Sequence, residues 1–110
     1  MKHLSKKSVI LIILIQIFYF TDKSWADPDL VFVSIAPQKF FVERIGGNEV
    51  QVEVMLNPGE SPATFNPNPK KMSRLAYAKL YFSIGVPFEK VWISRIKNIQ
   101  PKLKIIPLNK

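Results

Sequence analysis

The chain has no cysteine and one histidine, His3, which stands in its first few residues. Without cysteine, an oxidising compartment can impose no disulfide framework, and no lipid can be attached to a cysteine at the end of a leader. Without histidine beyond His3, the triads Ser-His-Asp and Cys-His are excluded. Zinc sites built mainly from imidazole and thiolate are excluded as well. Acidic residues are also scarce: 8 against 16 Lys and Arg, a formal net charge of +8. The basic residues are spread from Lys39 to Lys110 and form no clustered phosphate footprint, so nucleic acid is not an expected partner. They read as a solvated surface.

What is present begins with a basic start (Lys2, Lys6, Lys7) and an apolar run from Val9 to Phe20 broken only by Gln16. The small-x-small pattern Ser24-Trp25-Ala26 follows. This is the layout of a secretory signal peptide, residues 1–26, cleaved after Ala26. The alternative, a membrane anchor, is disfavoured because the run is well short of the roughly 20 residues a spanning helix needs. Four lysines and Asp22 leave with the leader, so residues 27–110 carry 12 basic and 7 acidic groups. These 84 residues suffice for one small domain with a thin stability margin, expected in the periplasm as a free protein.

Within residues 27–110, Leu30–Ile35 is a nearly continuous apolar run, as in a strand buried on both faces. Pro37 suits the first turn of a helix with Phe41, Val42 and Ile45 on one face, and Gly46-Gly47 can end it in a left-handed cap. Val50, Val52, Val54 and Leu56 alternate with Gln51, Glu53 and Met55, the period of an edge strand with one wet face. Asn68 can cap, and Pro69 open, a second helix carrying Met72, Leu75 and Ala76. Leu80–Ile84 reads as a third strand. Phe88, Val91, Trp92, Ile96 and Ile99 mark a third helix stopped near Pro101, and Leu103–Ile106 forms a fourth strand. Alternating strands and helices imply an α/β lobe of three layers, with a parallel sheet in the order 2-1-3-4. Its crevice should open at the carboxyl ends of strands 1 and 3, where the order reverses.

The loop between the second strand and second helix is the most distinctive stretch. From Met55 to Met72 it holds four of the nine prolines, Pro58, Pro62, Pro67 and Pro69, which keep it out of sheet and helix and make it stiff. Its candidate ligand-loop residues are Glu60, Ser61, Pro62, Ala63, Thr64 and Phe65. Glu60 could ligate a cation or hold the loop by accepting amide hydrogen bonds. The second role is favoured, because a lone carboxylate is a poor site for a hard cation. Ser61 has no base to activate it and reads as a turn residue. Gly46-Gly47 lacks the spacing of a phosphate cradle. The aromatics are expected mostly in the core, with Phe65 able to face the crevice. The remaining carboxylates, Glu89 included, are expected mostly on outer faces.

Val33-Ser-Ile-Ala-Pro37, Val42-Glu-Arg-Ile-Gly-Gly47 and Pro58-Gly-Glu-Ser-Pro-Ala-Thr-Phe-Asn-Pro67, followed by Met72 and the Leu80–Gly85 strand, together resemble one family. It is the zinc and manganese substrate-binding proteins of bacterial ABC importers (solute-binding family 9, cluster A-I, TroA-like), whose N-terminal lobe the chain resembles from Val31 to Ile106. The resemblance implies a non-enzymatic receptor that captures Zn²⁺ or Mn²⁺ in the periplasm for an ABC permease. It also implies that the metal is held between two lobes joined by a long helix. The family's first ligand histidine usually lies between the Pro and Thr of this loop, where Ala63 stands, so no intact metal site is expected in this chain alone. The second histidine, the connecting helix and the C-terminal lobe would follow Lys110, in the same or an adjacent reading frame. Two readings stay open: a partial, apparently truncated metal receptor, and a non-catalytic secreted interaction module or vestigial fragment that no longer binds metal.

Overall fold

A computed structural model describes residues 3–19 and 26–110. Ser24 and Trp25 of the expected cleavage motif lie outside the described residues. α1 (Lys6–Tyr19) is 14 residues long, opening on Lys6, Lys7 and Ser8 and otherwise apolar in sequence apart from Gln16. Its first turn is closed by Ser5, whose carbonyl accepts the Ser8 and Val9 amides. Among the described residues, no helix is long and apolar enough to cross a membrane.

The apolar run of the first strand becomes β1 (Asp29–Ile35), in which Val31, Phe32, Val33 and Ser34 are all buried. It pairs in parallel with β2 (Val50–Leu56) on one side and β3 (Leu80–Ser83) on the other, and β4 (Lys104–Pro107) completes the order β2-β1-β3-β4. This is the expected 2-1-3-4 sheet. Residues paired laterally in a parallel sheet point to the same face. The register Val31↔Val52 and Leu80, with Val33↔Val54 and Phe82, therefore defines one face. Phe32, Glu53, Tyr81 and Ile105 define the other.

Right-handed crossovers distribute the helices accordingly. α2 (Ala36–Gly46) packs on the valine face, its end so close to β2 that a Cβ on Gly46 would lie 2.4 Å from a methyl of Val50. α3 (Pro69–Leu75) and α4 (Pro87–Ile99) cover the other face, where Phe32, Met55, Leu75, Ala78, Tyr81, Phe88, Ile96 and Leu103 form the core. The expected α/β class and three layers hold.

Several local expectations are corrected. Phe41 and Ile45 do not form the buried face of α2; they are 63% and 89% exposed. Gln38 faces the sheet instead. Its Oε1 accepts the Ser34 and Ile35 amides at 3.0 and 3.1 Å, and its Nε2 donates to the Phe82 carbonyl at 3.3 Å. With 3.6 residues per turn, anchoring Gln38 brings Val42 inward and leaves Phe41 at the flank. Phe40 and Tyr77 are exposed too, so the aromatics are less concentrated in the core than their spacing implied. Gly47 adopts φ +54 but starts a 3-10 turn through Glu49 rather than a plain left-handed cap. The expected wet face of β2 stays exposed at Gln51 but is covered toward the end of the strand, where α3 lies on it. Met55 is fully buried and Glu53 pairs with Arg74. β3 ends at Ser83, where the chain turns toward α4, and β4 starts at Lys104, with Leu103 buried just ahead of it.

Candidate functional site

Three segments leave the carboxyl ends of strands at the expected crevice rim. β1 runs into Ala36-Pro37, β2 into the proline-rich loop, and β3 into Ile84-Gly85-Val86. The loop begins with a closed turn in which the Glu60 amide donates to the Asn57 carbonyl at 3.1 Å. The Glu60 Oε2 in return accepts the Asn57 amide at 2.7 Å. Gly59 adopts φ +89 there, a left-handed conformation that suits glycine. A second turn brings the Thr64 amide to the Ser61 carbonyl at 3.3 Å. Lys71 holds the loop's base, its Nζ donating to the Met55 carbonyl at 2.7 Å and to Asn57 Oδ1 at 3.3 Å. Partial burial lowers the Lys71 pKa, and the carboxylates of Glu60 and Glu53 oppose that shift. At the far end, Asn68 caps α3 by accepting the Lys71 amide at 2.8 Å, as expected.

Phe65 anchors the middle. It is half-buried, and its ring meets that of Phe88 in the first turn of α4 at 4.9 Å between centroids. A loop that leaves the edge strand β2 is thereby carried to the start of α4, across the switch point between β1 and β3. Glu60, Ser61, Thr64, Phe65 and Asn66 line a cavity of about 270 Å³. Pro62 is half-buried beside it, and Ala63 is exposed. The structure thus gathers Glu60 to Phe65 on one short exposed stretch. Glu60 is the one carboxylate on that stretch, and Ala63 offers a methyl group, which ligates nothing. Among the described residues, no three His, Cys, Asp or Glu side chains converge as a metal site.

Beneath the rim lies a polar cluster that sequence reasoning missed. Tyr81 Oη and Ser34 Oγ are 2.8 Å apart, and Ser34 Oγ donates to Glu89 Oε1 in turn. The same Oε1 accepts the Ile84 amide at 2.9 Å, and Oε2 accepts the Gly85 amide at 2.7 Å. Ser34, Tyr81 and Glu89 are all buried, Glu89 being 3% exposed. Burial pushes the Tyr81 phenol well above the usual tyrosine range; the Ser34 hydrogen bond opposes this and the Glu89 charge adds to it. Glu89 had been expected on an outer face. Its position offered a signal, since a glutamate two residues after a helix-opening proline can turn back to unpaired amides.

Set beside known proteins, residues 31–110 match the family model of ZnuA, the zinc-uptake complex component A, periplasmic. A protein of Chlamydia trachomatis serovar D, named as a candidate metal-binding protein, is 37% identical over 60 residues. That match covers 54% of this chain and 22% of the relative. The crystal structure of ZnuA is 36% identical with a TM-score of 0.67, covering 73% of this chain and 31% of that one. The Mn-bound periplasmic metal-binding protein of Candidatus Liberibacter asiaticus, 18% identical with a TM-score of 0.63 over 73% of this chain and 30% of its own, shares the fold. The chain therefore spans about a third or less of the length of these relatives. Matched over most of its length, it belongs to the ZnuA family of periplasmic metal-binding proteins, which are solute binders and not enzymes.

Proposed function

We propose that residues 27–110 are the N-terminal lobe of a metal receptor for an ABC importer, exported to the periplasm by a signal peptide cleaved after Ala26. The observation that carries this reading is the family match over residues 31–110, which includes the proline-rich loop at the crevice rim. In this reading the lobe contributes the loop Glu60 to Phe65 to a site completed by a distal lobe encoded beyond Lys110, in the same or an adjacent reading frame. The cargo is a divalent transition metal, Zn²⁺ or Mn²⁺, and the receiving partner is the importer's permease. Ala63 stands where the first histidine is expected, so this lobe by itself supplies at most oxygen donors such as Glu60. A second reading is favoured by that same lack of nitrogen and sulfur donors: a secreted module that touches a protein partner and binds no metal.

Titrating the exported protein with Zn²⁺ and Mn²⁺ separates the two. Saturable binding near micromolar supports the receptor and contradicts the second reading. If neither metal binds, and no reading frame after the Lys110 codon encodes a second α/β lobe, the receptor reading fails. Mass spectrometry of the exported protein tests the leader, which requires an N-terminus at Asp27.

A further inference from the structure

The first turn of α4 touches two of the three rim segments and the strand from which the third leaves. Phe88 meets Phe65 of the proline-rich loop. Its neighbour Glu89 reaches back to Ser34 at the end of β1 and to the Ile84 and Gly85 amides in the turn that leaves β3. Glu89 also has no cationic partner in any ion pair among the described residues. A buried carboxylate without a cation is costly unless hydrogen bonds hold its charge. Here one of its three donors comes from β1 and the other two from the turn between β3 and α4. Gly85 takes φ +84 in that turn, a conformation that aims its amide at Oε2 and that other residues rarely adopt.

We propose that Glu89 is a positioning residue for the crevice: it clamps the β3–α4 turn to the end of β1 through Ser34, so that α4 presents the rim segments as one preset unit. Phe88 adds the proline-rich loop to the same unit. A neutral amide cannot replace the carboxylate, because its NH₂ would face one of the donating groups. The Tyr81 hydroxyl, bonded to Ser34 Oγ, orients that serine so that its proton points to Glu89. The inference does not depend on which ligand, if any, the rim receives. Failure to bind metal leaves it standing.

Residue-resolved amide hydrogen exchange on the full chain tests it. In Glu89→Gln the Ile84 and Gly85 amides should exchange about tenfold faster or more, with the β1–β2 ladder protected as before. Unchanged exchange at Ile84 and Gly85, or equal acceleration of all amides, would overturn the proposal. Should that variant fail to fold, Ser34→Ala keeps the carboxylate and removes its tie to β1, along with the Ser34–Tyr81 bond. Faster exchange confined to Ile84 and Gly85 in that variant supports the clamp, and no local change refutes it.

Discussion

On one face of the sheet, α3 and α4 cover Phe32, Met55 and Tyr81 completely. On the other, α2 covers the valines of β1 and β2 and leaves Leu80, Phe82 and Ile106 half-exposed. The difference follows from topology. With the order 2-1-3-4 and right-handed crossovers, the connection from β1 to β2 falls on one side and the two later connections fall on the other. One helix cannot shield four strands, so Phe40 and Phe41 stand out from α2 beside a partly open sheet. Composition gives both faces similar residues, and chain order decides which are sealed.

The sharpest way to break this comparison is to truncate one residue on each face. Phe32→Ala on the sealed face should cost about 3–5 kcal/mol, a large part of the roughly 5–15 kcal/mol that stabilises a typical domain. Leu80→Ala on the open face should cost about 1 kcal/mol. Urea unfolding reads both, and equal losses would show that the open face is covered in solution.

Tyr81→Phe should cost about 1 kcal/mol, as the buried Ser34 loses a hydrogen-bond partner. It also carries a pH signature. The Tyr81 pKa is raised in the folded state, so as pH climbs through the ordinary value of 10.0 the unfolded chain gives up this proton first and stability falls. The phenylalanine variant should lose less stability above pH 10.0 than the parent does. Parallel pH curves for the two proteins would mean that Tyr81 is not held in the sealed core.

Smaller effects refine the picture. Asn68→Ala removes the cap of α3, which shields the sealed face beside Glu53 and Met55, and should lower stability by about 1 kcal/mol or somewhat less. Phe41→Ser, on the exposed flank of α2, should stay within about 0.5 kcal/mol and should reduce the binding of a fluorescent apolar dye. A loss of stability comparable to that of Phe32→Ala would place Phe41 in a core after all.

Much of the fold was legible because its signals are local. Pro37 and Pro69 open helices, and the runs around Val31 and Phe82 have strand length. The rim loop was legible for the same reason, since closely spaced prolines exclude regular structure whatever surrounds them. The role of Gln38 was not legible. Its spacing is that of a surface polar residue, and it becomes an inward anchor through the Ser34 and Ile35 amides at the end of β1 and the Phe82 carbonyl of a distant strand. Met55 and Glu53 were assigned to the wet face because alternation reports which residues share a side and not whether a helix will cover that side.

The sequence by itself determined the elements, their order, the stiffness of the proline-rich loop and the absence of imidazole or thiolate from residues 27–110. These depend on backbone sterics and on the inventory of side chains. Tertiary structure alone decided that Ser34, Tyr81 and Glu89, which lie 47 and 55 residues apart from Ser34 along the chain, meet beneath the rim. A buried carboxylate is stable only where donors converge on it, and here the Ser34 hydroxyl of β1 meets the amides of the β3–α4 turn once the sheet has closed.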